Sequence, residues 1–394
     1  MNKRQELFLK HQGQTTPYSM VLEIEKAEGN YIWDKTGKSY LDLIAGVSAC
    51  TLGHGHERIK RAVKEQVDRY MHVMVYGEFI QDPQYNLALE YANHLPDNLN
   101  STYFVNSGVE SIEASIKLAK RVTCKTQIVS CKHSYHGSTN GALSIMGEEH
   151  MKSKFRPLLP ECYHIEFNNI DSLSAINKQT AGVIVEPVQG AMGFIPATKA
   201  FLEALREKCN EVGALLIFDE IQTCYGRLGT MFGFEYYNVI PDVLCIAKGM
   251  GGGMPIGAFI TSDTYMQQLS KDPKLGHITT FGGHPVCCAA ALETWNVLKE
   301  GTLLNDVESK KYIFLEGLKH SKIKQINATG LAIGIELESE EICQYVFDEL
   351  LKEGVLTFFF LFNPKSLRLS PPLTITQEEI ELACKKIISV LDRY

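Results

Sequence analysis

A lysine in the segment CIAKGMGGGMPIG, residues 245–257, has the chemistry to bond covalently to a carbonyl compound. Lys248 follows an apolar run and precedes a glycine-rich stretch, a setting in which its amine can be held in a partly dry cleft. Burial lowers the pKa of an amine because it disfavours the charged form, and a neutral amine is a nucleophile toward carbonyl carbon. Taken alone, a lysine after a strand is more often a solvated loop residue. The interpretation of Lys248 therefore depends on the other residues that could share its site.

Two further features supply complementary chemistry. Asp219 ends the apolar run ALLIFD, and a carboxylate there can keep a pyridine nitrogen protonated, which makes the ring an electron sink. Residues 106–110 join an apolar run to a helical pattern that starts near Ser111, and the free N–H groups of such a junction can bind a phosphate. An aldehyde-binding lysine, a pyridinium-binding aspartate and a phosphate loop are together what pyridoxal 5′-phosphate requires. Each alone has a common structural explanation, as a solvated residue, an ion pair or an ordinary turn.

Short apolar runs alternate with amphipathic segments in the middle of the chain, which is typical of a parallel sheet buried on both faces. The runs cover 102–105, 127–130, 182–186, 214–219 and 243–247, and the clearest amphipathic stretches between them are 111–122 and 199–212. Ligands of such sheets bind beyond the carboxyl ends of the strands, which is where Glu186, Asp219 and Lys248 fall. The predicted fold class is α/β, with a mostly parallel central sheet, helices on both faces and a smaller α+β domain.

Three segments are expected to build two domains. A chain of 394 residues exceeds the length of about 250–300 residues at which single cores stop growing. Residues 1–50 contain short strands around the turn 34–38 and are expected to join the small domain. Residues 51–300 would form the large domain, and 301–394, with a strand, a helix, further strands and a terminal helix, would complete the small one.

Composition argues against several classes of function. The formal net charge is −7, whereas a nucleic-acid-binding protein needs a basic face. The first residues, MNKRQELFLKHQGQ, contain no apolar core of a secretory signal, and no apolar run reaches the roughly 20 residues that span a bilayer. The 11 cysteines include no CxxC pair, so we expect reduced thiols rather than a disulfide framework or a zinc site. We expect a cytoplasmic enzyme.

Three segments resemble known binding motifs but lack the required residue spacing. Gly37-Lys38-Ser39 resembles the end of a phosphate-binding P-loop, but the upstream glycine is missing and the context is a hairpin. The glycine run 249–253 does not complete GxGxxG, which removes the main support for a nicotinamide dehydrogenase. Residues 54–57, His-Gly-His-Glu, lack the HExxH spacing of a zinc site, so a polar turn is expected and no metal.

The chain resembles the class III (subgroup II) aminotransferases of fold type I, the pyridoxal-phosphate-dependent group that includes ornithine, acetylornithine and 4-aminobutyrate aminotransferases. The resemblance extends from LDLIAGV (41–47) and LGHGH (52–56) to LRLSPPLTIT (367–376). Its specific core is LLIFDEIQTCYGRLG (215–229) followed by IAKGMGGGMPIGAF (246–259). It implies transfer of an amino group from an amine or amino acid to a 2-oxo acid, 2-oxoglutarate before pyruvate.

The resemblance also implies roles for individual residues. Lys248 would bind the cofactor aldehyde and move the proton during transamination. Asp219 would pair with the ring nitrogen and Gln222 with the phenolic oxygen. The remaining implied cofactor contacts are the phosphate loop Ser107, Gly108 and Val109, the ring-stacking residues Tyr135 and Ile221, and the neighbouring His136 and Glu186. Thr280 would reach the phosphate of a neighbouring subunit, which implies a homodimer, and Arg368 would bind a substrate carboxylate in the bidentate manner of arginine.

Two positions depart from that pattern. Where those relatives carry an arginine for a distal carboxylate, this chain has Ser138, and where they usually carry a glutamate that neutralises the carboxylate-binding arginine, it has Ala191. We therefore expect a simple amine, a diamine, or an amino acid bound through Arg368 as the donor. A neighbouring basic residue that replaces the missing charge would restore an ornithine-type donor. Aminomutase, racemase or decarboxylase chemistry on the same fold, and a non-catalytic cofactor-binding relative, remain the alternatives.

Overall fold

A seven-stranded sheet forms the centre of the molecule in the computed structural model, which describes all 394 residues. The strands of the whole chain, numbered in sequence order, are β1 Ile24–Glu28, β2 Tyr31–Asp34, β3 Ser39–Asp42, β4 Ser101–Val105, β5 Gln127–Cys131, β6 Cys162–Ile165, β7 Thr180–Val185, β8 Val188–Gln189, β9 Ile195–Pro196, β10 Leu215–Asp219, β11 Val243–Ala247, β12 Gly257–Thr261, β13 Ile323–Thr329, β14 Ala332–Leu337, β15 Val355–Leu356, β16 Phe358–Phe359 and β17 Ser366–Leu369.

The order of the central sheet is β4-β12-β11-β10-β7-β5-β6. Its strands are parallel except β12, which runs antiparallel to both of its neighbours. All residues of β7, β10, β11 and β12 are buried. Strands covered on both faces need apolar side chains throughout, which explains why they read as continuous apolar runs rather than alternating ones.

The five predicted strands are confirmed, and their ends agree with the prediction within one or two residues. Two further strands of the sheet were not predicted. The missed strands are β6, which lies at an edge, and β12, which follows the glycine-rich stretch. The sequence of β6, CYHI, contains a polar residue, and three of its four residues are partly or fully exposed. The sequence of β12, GAFIT, is short and starts four residues after the last of the glycines 249–253, which read as a loop. Neither carries the long apolar run by which the others were found.

Helices cover the faces of the sheet. The α-helices of eight or more residues are Lys3–His11, Glu57–Arg69, Asp82–His94, Gly108–Thr123, Lys199–Val212, Pro285–Glu300, Leu303–Gly317, Glu340–Lys352 and Gln377–Arg393. The predicted helix 199–212 is confirmed, and the one predicted from 111 starts three residues earlier at Gly108, with Ser107 as its N-cap. No helix is long and apolar enough to pass through a membrane.

Two smaller sheets lie outside the central one. One has the order β1-β2-β3-β15, so residues 355–356 from the C-terminal part pair with strands from the first fifty residues. The other has the order β13-β14-β17-β16 and carries Arg368 on β17. Gly37 and Lys38 lie in the turn between β2 and β3, and Ser39 starts β3, as the hairpin interpretation expected. The division into segments 1–50, 51–300 and 301–394 stays a prediction.

Candidate active site

One cavity of about 780 Å³ opens beyond the carboxyl ends of β4, β10 and β11. Parallel strands end at the same edge of a sheet, so side chains distant in sequence meet there. The predicted site residues that line this cavity are Ser107, Gly108, Val109, Tyr135, His136, Glu186, Asp219, Ile221, Gln222, Lys248 and Arg368. Ser138 and Ala191, the two departures, line it too. The predicted residues are thus brought together, with one exception, Thr280.

Lys248 follows β11 directly and starts a short 3-10 turn, Lys248–Gly251. Its backbone is left-handed, with a φ of 47°. Such a conformation is costly for a residue with a Cβ and is found preferentially at functional sites. Its Nζ donates a hydrogen bond to Oε1 of Gln222 at 2.7 Å. Burial, and secondly the cation of Arg368, lower the pKa of Lys248 to about 8, so a substantial fraction of the amine is neutral near physiological pH.

Asp219 is the last residue of β10 and is held by two hydrogen bonds. Its Oδ2 lies 2.7 Å from Nδ1 of His136, and its Oδ1 accepts from the N–H of Ile221 at 3.1 Å. Burial, the largest single effect, opposes the charged form of His136, but the hydrogen bond to Asp219 and the charges of Asp219 and Glu186 together outweigh it, so the pKa of His136 is raised. Nε2 of His136 is buried without a protein partner. The pair places a negative charge and a free ring nitrogen at the floor of the cavity.

The junction of β4 with the helix Gly108–Thr123 leaves room for another group to come close to its backbone. Ser107 caps the helix through its side chain, which accepts from the N–H of Glu110. The first N–H groups of a helix have no partner within the helix and carry the positive end of its dipole. A Cβ on Gly108 would meet Cδ1 of Ile221 at 2.6 Å, and one on Gly257 would meet the carbonyl oxygen of Ser107 at 2.5 Å. The glycines thus keep a narrow opening at a helix N-terminus, a suitable site for an anion.

Glu186 supports the walls of the cavity. Its carboxylate accepts from the backbone N–H of Tyr135 at 3.0 Å and of Gly190 at 2.8 Å. Burial raises the pKa of Glu186, and His136 acts in the opposite direction. The side chain therefore joins two loops that carry cavity residues.

Arg368 projects from β17 into the cavity between two aromatic rings. Its guanidinium carbon lies 5.0 Å from the ring centre of Phe194 and 4.7 Å from that of Phe360. It donates to the carbonyl oxygen of Gly190, it has no ion-pair partner, and its Nε is buried without a hydrogen bond. Burial lowers the pKa of Arg368 to about 10, yet the group stays cationic at neutral pH. A buried cation with an unused donor is a site for a carboxylate.

The outer wall of the cavity carries no further charge. Ser138 contributes a hydroxyl, which lies 3.2 Å from the hydroxyl oxygen of Tyr135, and Ala191 contributes a methyl group. The other lining side chains of this wall are uncharged, namely Val47, Ala49, Met254, Pro255, Phe358 and Leu361. No neighbouring lysine or arginine replaces the charge missing at Ser138 within the cavity of this chain.

Sequence reasoning missed one segment of the site, the helical turn Ala45–Ser48 after β3. All four residues have left-handed φ values, from 51° to 65°. Ser48 binds the side-chain amide of Gln222, and Val47 lines the cavity. A β-branched residue in this conformation is a genuine outlier, a type of strain that clusters at functional sites. The segment begins within LDLIAGV and ends at the next residue, Ser48, but nothing in its residue types indicates a left-handed turn.

Thr280 lies outside the cavity and is exposed. Its neighbour Thr279 accepts a hydrogen bond from the side chain of Asn106, a cavity residue, at 2.8 Å. The role of Thr280 in a neighbouring subunit stays a prediction. No group of three or more histidine, cysteine, aspartate or glutamate residues is arranged to hold a metal ion.

Comparison with known proteins identifies the family. The sequence model of the family described as Aminotransferase class-III matches residues 13–391. Acetylornithine aminotransferase of Bacillus cereus is 37% identical over 388 residues, which cover 94% of this chain and 97% of that protein. Succinylornithine transaminase of Salmonella typhimurium is 35% identical and covers 92% of each chain.

Solved structures agree with the sequence relatives. The fold matches a transaminase from the marine bacterium Virgibacillus with a TM-score of 0.92 at 28% identity, over 100% of this chain and 99% of that one. It matches the ornithine aminotransferase of Toxoplasma gondii with a TM-score of 0.90 at 28% identity, over 98% and 94%. The fold is therefore that of the fold type I transaminases, as expected from the sequence. With the family model matching nearly its whole length, the chain belongs to the class-III aminotransferases and is a transaminase.

Proposed function

We propose that this transaminase uses pyridoxal 5′-phosphate to move an amino group from an amine or amino acid to a 2-oxo acid. The proposal rests on one observation. A lysine whose amine has a lowered pKa, a carboxylate and a helix N-terminus lie at the same cavity. Lys248 lies at the end of β11, Asp219 at the end of the adjacent β10, and Ser107 caps the helix after β4. A phosphorylated pyridine aldehyde is the ligand whose groups match all three.

The residues fit the cofactor group by group. The N–H groups of Gly108 and Val109 would bind the phosphate, and Asp219, oriented by His136, would bind the ring nitrogen. Gln222, already within hydrogen-bonding distance of Lys248, would bind the phenolic oxygen. The ring would lie between two further lining side chains, Ile221 and Tyr135. When bound, the cofactor supplies an electron sink for the carbon that carries the amino group.

Lys248 would transfer the proton of the substrate. An amine with a pKa of about 8 can take a proton from the substrate carbon that bears the nitrogen and can return it. Gln222 keeps the amine in place through its 2.7 Å hydrogen bond. The surrounding burial excludes water and protects the reacting carbon from competing protonation.

Substrate choice follows from the charges of the cavity. Arg368 is the one cation available to a carboxylate besides Lys248, and no acidic side chain pairs with it. It would therefore bind the carboxylate of the 2-oxo acid, with 2-oxoglutarate as the proposed acceptor and pyruvate next. Ala191 cannot neutralise it, and Ser138 cannot bind a distal carboxylate. The proposed donor is an amine, a diamine, or an amino acid bound through Arg368, with no second carboxylate.

The active unit is proposed to be a homodimer that acts in the cytoplasm. Met71 and Phe281 are exposed and line a small apolar pocket that shares Asn106, Met254 and Pro255 with the cavity, and Phe79 and Ile80 are exposed as well. An apolar patch of this kind is typical of a protein interface. Thr280 adjoins Phe281 and would reach the partner's phosphate site. The eleven cysteines are all free, which suits a reducing compartment.

The test is the visible absorption spectrum of the purified protein, recorded while amines and amino acids are added one at a time. We expect a band of lysine-bound pyridoxal phosphate that bleaches with an accepted donor and returns with a 2-oxo acid. Lys248→Ala should lose the band and the turnover while keeping the fold, whereas Lys199→Ala, at an exposed lysine, should change neither. Turnover that persists in Lys248→Ala, or wild-type protein that never forms the band with added cofactor, would refute the proposal.

A further inference from the structure

The surface of the cavity beside Arg368 is apolar, and the pairing of two strands places it there. Phe358 of β16 lies directly opposite Arg368 of β17 in the antiparallel ladder. Directly opposed residues project their side chains from the same face of a sheet, with Cβ atoms about 4.5–5.5 Å apart. Both of these side chains line the cavity. A molecule whose carboxylate is bound by Arg368 therefore has the ring of Phe358 next to it.

Val47 and Leu361 continue this apolar surface where the cavity is open to solvent. Leu361 follows Phe358 by three residues, and Val47 lies in the left-handed turn Ala45–Ser48. Both line the cavity, and their exposed fractions are 36% for Val47 and 42% for Leu361. We call Val47, Phe358 and Leu361 the apolar wall. Covering such side chains removes apolar surface from water, which favours a ligand that is itself apolar on this side.

The cavity of this chain offers no free carboxylate to a second amino group. Asp219 and Glu186 are the two carboxylates that line it, and both are buried. Asp219 is already bound to His136 and to a backbone N–H, and Glu186 accepts from two backbone N–H groups. A distal ammonium would therefore lose its water at the apolar wall without gaining an ion pair, and leaving a charge unpaired in this way is costly.

We propose that the amino donor carries an apolar side chain, which packs on the apolar wall while the reacting nitrogen faces Lys248. This inference rests on the proposed function and narrows its donors, because it excludes the diamine. The donor is an apolar primary amine, or an amino acid with an apolar side chain whose carboxylate Arg368 binds. In the net exchange the donor gives up its amino group and one hydrogen and receives the carbonyl oxygen of the 2-oxo acid.

The first test compares donors that differ only in the terminal group of the chain, a methyl or an ammonium. The pairs are pentylamine with 1,4-diaminobutane and norleucine with ornithine, and single-turnover bleaching of the holoenzyme's visible band gives the rates. We expect the methyl-terminated donor to react at least about tenfold faster, the lower limit of the roughly 10- to 200-fold that one methylene contributes in an apolar pocket. Faster bleaching by the ammonium-terminated donors would overturn the proposal.

The two sources of the apolar chain are separated by Arg368→Gln. This variant should slow norleucine and leave pentylamine nearly unchanged if the donor is an amino acid held by its carboxylate. Preference of the wild-type protein for pentylamine over norleucine would identify the donor as a plain amine. Either result supports the apolar wall, because both donors end in the same methyl group.

A carboxylate added to the apolar wall should reverse the preference. Leu361→Glu supplies the missing partner of a distal ammonium, and we expect the rate ratio of 1,4-diaminobutane to pentylamine to rise about tenfold. Leu382→Glu is the matched control, since Leu382 is 41% exposed on the helix Gln377–Arg393, outside the cavity. An unchanged ratio in Leu361→Glu would show that the donor does not contact this wall.

The second readout is binding without turnover, measured by calorimetry of the holoenzyme with butanoate and hexanoate. Neither compound has an amino group to transfer. We expect hexanoate to bind about 15-fold more tightly, since each buried CH₂ contributes about fourfold in affinity. Phe358→Ala should remove most of this difference, and Phe155→Ala, at an exposed phenylalanine outside the cavity, should keep it. Equal affinities in the wild-type protein would contradict the proposal.

The outcomes separate this proposal from the proposed function. A holoenzyme that is bleached best by 1,4-diaminobutane or ornithine refutes the apolar donor and leaves the transaminase assignment of Lys248 intact. A protein that forms no band, or whose band no donor bleaches, refutes both.

Discussion

His136 and Asp219 form a buried pair beneath the cavity, with Nδ1 of the imidazole 2.7 Å from Oδ2 of the carboxylate. Asp219 ends β10 and His136 lies in the loop after β5, and the hydrogen bond between them restricts the carboxylate to one orientation. Because Nδ1 of His136 is bound to this carboxylate, we infer that His136 positions Asp219.

The negative charge of Asp219 should contribute more to kcat than the shape of its side chain. Asp219→Asn keeps the size of the side chain but removes the negative charge that would keep the cofactor ring protonated. We expect kcat to fall by about 100-fold or more, the size of effect seen when one preorganised electrostatic contact is removed. Steady-state kinetics with a saturating donor measure it. Asp263→Asn, at an exposed helix start, is the matched control, and equal losses in the two variants would contradict the interpretation.

The amine of Lys248 should make the stability of the cofactor-free protein depend on pH. Its pKa is lowered from 10.5 to about 8, so below pH 8 the folded state contains a buried charge at a cost that corresponds to about 3 kcal/mol. As the pH rises from 8 to 10.5, the folded lysine is neutral while the unfolded one is still charged, and the cost disappears. Stability should therefore rise with pH through this window relative to Lys248→Met.

Denaturant unfolding of the two cofactor-free proteins at several pH values measures this difference. Groups that do not interact with Lys248 titrate equally in both proteins, so the difference reports on Lys248 and on the charges next to it, Arg368, Asp219 and Glu186. We expect Lys248→Met to be the more stable protein at pH 7 and the gap to close toward pH 10. A gap that widens with pH would show that the lysine is charged and paired in the folded state.

Arg368 should be required for carboxylate substrates only. Arg368→Gln keeps a hydrogen-bond donor but removes the positive charge, and a hydrogen bond between charged groups contributes about 1.5–3 kcal/mol. We expect kcat/KM for 2-oxoglutarate to fall by about 10- to 150-fold, while the rate of the half-reaction with an amine that has no carboxylate changes little. Single-turnover bleaching with each substrate separates the two. An equal loss with both substrates would mean that Arg368 supports the fold of the cavity instead.

The absence of a side chain at Gly108 should be necessary for binding the cofactor. A Cβ there would lie within 2.9 Å of three side-chain atoms of Ile221, so no single rotation of Ile221 relieves the clash. Gly108→Ala should weaken cofactor binding by about 5- to 150-fold, in keeping with overpacking costs of roughly 1–3 kcal/mol. A titration of the visible band measures the affinity. Gly13→Ala, where nothing lies within 4 Å, should leave the affinity unchanged.

Much of the central sheet was predictable because its strands are buried on both faces. The apolar runs that become β7, β10 and β11 each stand out from their flanks, and each leads to Glu186, Asp219 or Lys248. β12 was not predictable, since a five-residue strand after a glycine stretch has no distinguishing pattern. Its antiparallel direction depends on pairing with β4, about 155 residues earlier in sequence, which local propensity does not encode.

The sequence by itself determined the chemistry: an amine after one buried strand, a carboxylate after another, and a capped helix start, in the order that the family requires. Only the tertiary structure decided how the groups modify each other. The lowered pKa of Lys248 arises from burial and from Arg368, 120 positions away in sequence. Burial and electrostatic coupling are properties of distances in space, and distances between remote residues exist only once the chain has folded.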